Sequence, residues 1–206
     1  YPDLNTSIDV IEALAKNGAD LIEVGLSFSD PLADGPVIQQ ATQVALEQGI
    51  TIKKSLEAVK ELRKRGVEIP LILMGYYNPM LAYGLEKFVR DAKDAGADGF
   101  IIPDLPVEES DEFVRATGPS PLPLIRMLAP TSSSERMEKI ARNAKGFIYL
   151  VSVTGITGER KTISAGLSDL IADVRKHTNI PVCVGFGIST PEQAKEVGEM
   201  ADGVIV

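Results

Sequence analysis

The sequence predicts an α/β fold: a (βα)8 TIM barrel lacking its first strand and its last helix. Three observations carry this expectation. Strand and helix signals alternate from one end of the chain to the other with no hairpin signal between them, which means parallel strands joined by crossover helices. The strand candidates are short and apolar on both faces, as buried parallel strands are. They are also of two kinds that take turns along the chain, which suits a closed barrel whose odd and even strands fill alternate interior layers. An open doubly wound sheet would call for a glycine-rich fingerprint after the first strand, and none follows it here.

The elements justify themselves in order. One kind of strand follows a helix-ending Gly or Ala, often with an Asp: Gly18-Ala19-Asp20-Leu21, Gly96-Ala97-Asp98-Gly99-Phe100-Ile101, Ala144-Lys145-Gly146-Phe147-Ile148 and Ala201-Asp202-Gly203-Val204-Ile205. The other opens on proline: Ile69-Pro70-Leu71-Ile72-Leu73, Leu122-Pro123-Leu124-Ile125 and Ile180-Pro181-Val182-Cys183-Val184. Amphipathic helical stretches lie between them, at 7–16, 52–65, 85–95, 134–143, 167–177 and 191–197. Ser134 with its nearby acids and Thr190 before Pro191 read as helix caps. The alternation asks for one more proline-type strand before Tyr1, and the chain stops on the apolar run 203–206. A complete barrel takes about 250 residues. The expectation is therefore a single barrel domain over 1–206, truncated at both ends.

Composition narrows the function. With 206 residues, 44% of them hydrophobic, the chain can bury one sizeable core. A net charge of −8 argues against nucleic acid and anionic membrane as partners, and an anionic substrate would need a local positive site. Cys183 is the single cysteine, so no internal disulfide can form, and a reducing, intracellular setting is expected. No apolar run approaches the ~20 residues of a membrane span. One histidine and one cysteine in no shared motif make a zinc site a poor fit. His177, beside Arg175 and Lys176 at a helix end, reads as a complement to the helix dipole.

The chemistry concentrates at the strand ends. Glu23 stands inside the apolar run Leu21-Ile22-Glu23-Val24-Gly25. A charge there is costly unless it is paired, protonated or used. Strand alternation puts Glu23 with Leu21 and Gly25 on one face and Ile22 with Val24 on the other, and the inward face is expected for the acid. Asp34 follows in the next loop with Asp30 nearby, a two-carboxylate layout suited to proton transfer. The segments Gly75-Tyr76-Tyr77-Asn78-Pro79 and Pro103-Asp104-Leu105-Pro106 fall at the same ends of their strands. The long connection 149–162 carries two glycines, three threonines and three charges, a composition that suits a lid and also a plain surface loop. In Gly185-Phe186-Gly187-Ile188-Ser189, bare amides at a strand-to-helix turn suit a phosphate. Arg126 sits within a strand on the face of Leu124 and Leu128 and is given no role by its sequence position; an ion pair with Glu23 would lower that carboxyl's pKa.

These residues resemble a known family. Glu23-Val-Gly-Leu-Ser-Phe-Ser-Asp-Pro-Leu-Ala-Asp-Gly-Pro36, Met74-Gly-Tyr-Tyr-Asn-Pro79, Pro103-Asp-Leu-Pro106, Ala129-Pro-Thr-Ser132, Tyr149-Leu-Val-Ser-Val-Thr-Gly-Ile-Thr-Gly158 and Gly185-Phe-Gly-Ile-Ser189 are similar to the alpha subunit of tryptophan synthase, in order and over the whole chain. The resemblance implies an eightfold barrel that cleaves indole-3-glycerol phosphate to indole and glyceraldehyde 3-phosphate, with no metal or cofactor of its own. It implies a beta-subunit partner in an alpha2beta2 heterotetramer, with pyridoxal phosphate in the beta partner, and a cytoplasmic setting; a plastid transit segment would lie upstream of Tyr1. It further implies Glu23 as general acid/base, Asp34 as the acid at the indole nitrogen and Tyr149 beside the glutamate. Tyr76 and Phe186 would line the indole pocket, Thr157 would belong to the lid, and Gly158 and Gly187 would bind phosphate through their backbone. Asp30, Asn78 and Pro106 would face the beta subunit.

Two departures from the family bear on these expectations. Ser27 stands where the family often has proline, which would loosen the loop. The family also has a first strand before Tyr1 and a Gly-Ser pair past Val206 that completes the phosphate site, so weak catalysis is expected of this segment alone. Two other functions stand beside this one: another phosphate-binding barrel lyase or isomerase, for which the Asp34 loop is dispensable, and a non-catalytic activator of a beta subunit, against which Glu23, Asp34 and Tyr149 argue.

Overall fold

The computed structural model describes residues 3–118, 122–151, 164–185 and 187–206. Its contacts group into two compact units, 1–124 and 125–206, each built of parallel strands alternating with helices. Among the described residues there are seven strands, as the sequence predicts.

The first unit begins with α1 (Leu4–Lys16), capped by Asp3, whose carboxylate accepts the Thr6 amide at 3.0 Å. Strand β1 (Ile22–Gly25) leads through a loop into α2 (Pro36–Glu47), which starts on Pro36 at its first turn, and then α3 (Ile52–Lys64), capped by Thr51. Next come β2 (Leu71–Met74), α4 (Tyr77–Tyr83), α5 (Leu85–Ala95), β3 (Gly99–Ile101) and α6 (Asp111–Thr117). The strands pair β1–β2–β3 in parallel, with Ile22 beside Leu71, Glu23 beside Ile72, and Leu73 beside Phe100.

That register sorts the side chains into two faces. Ile22, Val24, Leu71, Leu73 and Phe100 join Leu56, Val59 and Leu62 of α3 and Phe88, Val89 and Ala92 of α5 in one core. Alternation then puts Glu23, with Ile72, on the face turned away from that helix-packed core.

The second unit contains β4 (Leu124–Leu128), α7 (Ser134–Asn143), β5 (Ile148–Val151), α8 (Ser164–Arg175), β6 (Val182–Gly185), α9 (Pro191–Gly198) and β7 (Gly203–Val204). Its strands pair β4–β5–β6–β7 in parallel. The cap of α7 is Ser133, which accepts the Arg136 amide, and Ser134 is the first helical residue; the sequence reading is off by one position there. Thr190 does cap α9, in a reciprocal capping box with Gln193.

A device repeated in both units explains the Asp of the Gly-Ala-Asp signal. Asp98 accepts the first amide of β2, Leu71 N, at 2.8 Å and pairs with Arg63 from the end of α3. Asp202 accepts the first amide of β6, Val182 N, at 2.9 Å and pairs with Arg175 from the end of α8 at 2.9 Å. Arg63 also donates to the carbonyls of Gly96, Val67 and Ile69, tying the α3 turn to the start of the strand. An edge amide that would otherwise face a turn is thereby satisfied by a charged acceptor.

Three helices escape the sequence reading. Helix α2 buries no residue and so shows no clean apolar stripe, while α4 and α6 are only seven residues long. Tyr77, Asn78 and Pro79 accordingly lie in helix α4 rather than in an extended loop.

Candidate active site

Glu23 occupies the second position of β1, two residues before the strand ends at Gly25. Its Oε1 atom is buried and has no hydrogen-bond partner among the described residues. Burial alone pushes its carboxyl from 4.5 up to about 7. A buried acceptor left without a donor costs on the order of 1–3 kcal/mol, so the site keeps this carboxyl at a cost to stability. Near neutral pH the group is divided between its two protonation states, the condition a proton-shuttling acid requires.

Glu23 lines a cavity of about 420 Å³ whose walls come from α1, β1, the end of α2 and α3. Asp34 and Tyr76 line a second cavity of about 220 Å³ formed by the β1 loop, α2 and the end of β2. Gly25, Ser27 and Ala45 border both, so the two carboxylates open onto adjoining spaces. The Asp34 loop is folded back by tight turns: Leu32 N donates to Asp30 O at 2.9 Å and Asp34 N to Pro31 O at 3.1 Å. Gln39 Nε2 from α2 donates to the Asp34 carbonyl at 2.9 Å.

Tyr76 is central to this end of the unit. Its hydroxyl accepts the Ala33 amide at 2.8 Å and lines the same cavity as the Asp34 carboxylate. Burial pushes the Asp34 carboxyl up, and the hydrogen bond from Tyr76 works against that rise. The Tyr76 phenol is itself pushed up to about 12, by burial first and by the Asp34 charge in addition, with the Ala33 amide opposing. It therefore keeps its proton and remains a donor at working pH. Phe28 packs against its ring, centroids 5.6 Å apart and tilted by 39°. Gly75 precedes it for a steric reason: a Cβ there would stand 2.8 Å from Leu26 Cβ.

The other expected site residues are placed as follows. Asp30 is exposed, its carboxylate accepting from Ser29 Oγ at 2.6 Å; Asn78 is exposed on α4, and Pro106 is half-buried. In the second unit Tyr149 is buried on β5, its ring lying over Gly185 so closely that a Cβ there would meet the hydroxyl at 2.5 Å. Arg126 is buried on β4 beside Ile148, on the face opposite to Tyr149. Gly187 takes a left-handed backbone with φ 78° just before α9. The amides of Ser189 and Thr190 are occupied by Gln193 Oε1, so a phosphate contact from this turn would fall to the stretch at Gly187 and Ile188. Thr157, Gly158 and Phe186 lie outside the described residues, as does most of the expected lid.

Two contributors are absent from the sequence reading. Phe28 supports Tyr76, and the Asp104 carboxylate accepts the Tyr77 amide at 2.9 Å, capping α4 from 27 residues away. The aromatic character of Phe28 and the position of Asp104 at a strand end were the available signals. Neither names its partner. Among the described residues no cluster of three or more His, Cys, Asp or Glu could hold a metal ion, and no helix is long and apolar enough to cross a membrane.

Comparison with known proteins gives this arrangement its context. The family profile described as tryptophan synthase alpha chain matches residues 1–206. The tryptophan synthase alpha chain of Chloroflexus aurantiacus is 51% identical over 206 residues, spanning all of this chain and 77% of the relative; that of Geobacter sulfurreducens is 49% identical over 205 residues, with 100% and 77% covered. Among solved structures, the Legionella pneumophila tryptophan synthase alpha chain superposes with a TM-score of 0.89 at 40% identity, covering 100% of this chain and 74% of that one. A tryptophan synthase α2β2 structure from Pyrococcus furiosus gives 0.90 at 36% identity, with 100% and 82% covered. The barrel class expected from the alternating strands is the fold these structures share with it. An acid in the first described strand, a second acid held by a tyrosine in the next loop, and a match running the whole length of the chain lead to one assignment: this chain belongs to the tryptophan synthase alpha chain family.

Proposed function

We propose that the chain cleaves indole-3-glycerol phosphate to indole and glyceraldehyde 3-phosphate, a lyase step of tryptophan biosynthesis, with Glu23 and Asp34 as its two working carboxylates. Glu23, protonated, delivers a proton to C3 of the indole ring, and positive charge develops at the ring nitrogen. Asp34, ionised, stabilises that charge. The ionised Glu23 then takes the proton from the glycerol hydroxyl next to the ring, the C–C bond breaks, and its electron pair restores the aromatic ring as the aldehyde forms. Protons balance: one goes to carbon, one leaves oxygen, and Glu23 ends as it began.

The observation that carries this reading is the buried Oε1 of Glu23, which has no hydrogen-bond partner among the described residues. A carboxyl pushed by burial to about 7 can both give and take a proton near neutral pH. Tyr149 is read as a wall of the site, with Tyr76 and Phe186 against the indole and Thr157 in the lid. Gly158 and Gly187 offer backbone to the phosphate, the local attraction that a chain of net charge −8 needs for an anionic substrate. The reaction needs no cofactor in this subunit; pyridoxal phosphate belongs to the beta partner. Asp30, Asn78 and Pro106 are read as the surface toward that partner in an alpha2beta2 assembly, in keeping with the assembled relative from Pyrococcus furiosus. The single Cys183, with no second cysteine to bridge to, fits a cytoplasmic setting.

The test is indole release by the intact protein carrying Glu23→Gln, assayed with its beta partner. Glutamine keeps the shape and loses the transferable proton, and removal of a general acid costs on the order of 10²–10⁴-fold. Unchanged release would remove Glu23 from the chemistry.

A further inference from the structure

Tyr76 does more than border a pocket. Its hydroxyl oxygen accepts the amide of Ala33, the residue just before Asp34, at 2.8 Å, and Tyr76 lines the same cavity as Asp34. The β1 loop is thus pinned beside its acid by a single atom. The tyrosine is fixed in turn from its own side. It is the residue at the N-terminus of α4, whose next amide, Tyr77 N, is bound by Asp104 at 2.9 Å. The amide before it, Gly75 N, donates to Ile101 O of β3 at 3.1 Å. Phe28 closes on the ring, and only 5% of Tyr76 is exposed. A buried side chain anchored on two neighbouring strands and reaching into a loop suits a residue that sets another group's place.

We infer that Tyr76 is the positioning residue for Asp34, setting the carboxylate in the cavity the two residues share by pinning the adjacent Ala33 amide with its hydroxyl. The inference rests on the reading of Asp34 as the group that stabilises charge at the indole nitrogen. A tyrosine that merely filled space beside the ring would affect substrate binding; one that orients the acid affects turnover and its pH dependence. Loss of the hydroxyl withdraws a donor that favours the ionised carboxylate, so Asp34 would hold its proton to higher pH.

The experiment compares the intact protein with Tyr76→Phe, assayed with the beta partner. The expected result is a fall in kcat of about 10-fold or more, KM within about two-fold, and the acid limb of the kcat profile displaced about one pH unit upward. A carbon-detected NMR titration should show the Asp34 carboxyl moving in the same direction. Replacement of Tyr76 by 3-fluorotyrosine, a stronger donor that keeps the hydroxyl, should move both downward and serves if the phenylalanine variant folds poorly. An unmoved acid limb and an unmoved Asp34 titration, or a rise in KM alone, overturn the inference. Asp34→Asn separates the two layers: activity surviving that change sinks the reading of Asp34, whereas the NMR titration still decides whether Tyr76 holds it.

Discussion

A buried carboxyl leaves a thermodynamic mark that can be read without any substrate. Glu23 titrates near 4.5 when unfolded and near 7 when folded, because burial disfavours its charged form. Between those values the folded chain binds more protons than the unfolded one, so raising the pH through this window lowers stability. The contribution is fully present below pH 4.5 and gone once the pH has passed about 7. At about 1.4 kcal/mol per pH unit, the whole window corresponds to about 3 kcal/mol, of which about 2.5 kcal/mol falls between pH 5 and pH 8. Glu23→Gln removes the titrating group and with it this slope. Urea unfolding of both proteins at pH 5, 6, 7 and 8 measures it. The variant should gain about 2.5 kcal/mol on the parent as the pH rises from 5 to 8, about a 1 M relative displacement of the midpoint for a chain of this size. The same substitution is expected to abolish the acid's work, so greater stability at pH 8 and lost turnover should appear together, as they do where function requires a strained site. Parallel stability curves for the two proteins would refute the claim that Glu23 is held out of water.

Two further outcomes follow from close contacts in the second unit. Gly185→Ala brings a Cβ to 2.5 Å from the Tyr149 hydroxyl; forcing that buried ring aside should cost about 1–3 kcal/mol, and kcat for indole release should fall if Tyr149 borders the site. Thr190→Ala removes the side chain that accepts the Gln193 amide at the start of α9, which should cost about 1 kcal/mol in urea unfolding, with a larger loss pointing to a role for this turn beyond capping.

Much of the fold is written locally. Proline before one set of strands and Gly-Ala-Asp before the other mark the strand starts, and periodic apolar residues mark α3, α5 and α7, because these signals depend on neighbours within a turn or two. The alternation of Ile22, Glu23 and Val24 fixes which residues share a face. It needs only the knowledge that Ile22 and Val24 are the pair packed on helices to place the acid opposite them.

The helices that escape notice fail this local test. Helix α2 buries nothing, so no stripe announces it, and α4 and α6 are too short for a period to show. The Asp of Gly-Ala-Asp is visible as punctuation, but its work of binding the amide that opens the preceding strand is not, since Asp98 lies 27 residues from Leu71.

Sequence alone determined the parallel α/β architecture and the family, and it singled out the acids as candidates. It showed a charge in a greasy strand, and chemistry made that charge worth explaining. Whether that charge meets water, and which hydroxyl meets Asp34, was decided only when the chain folded. Ala33 and Tyr76 are 43 residues apart, and nothing in either stretch encodes the other. Solvent exclusion belongs to the packed assembly rather than to any single residue, so the property that tunes Glu23 exists only in three dimensions.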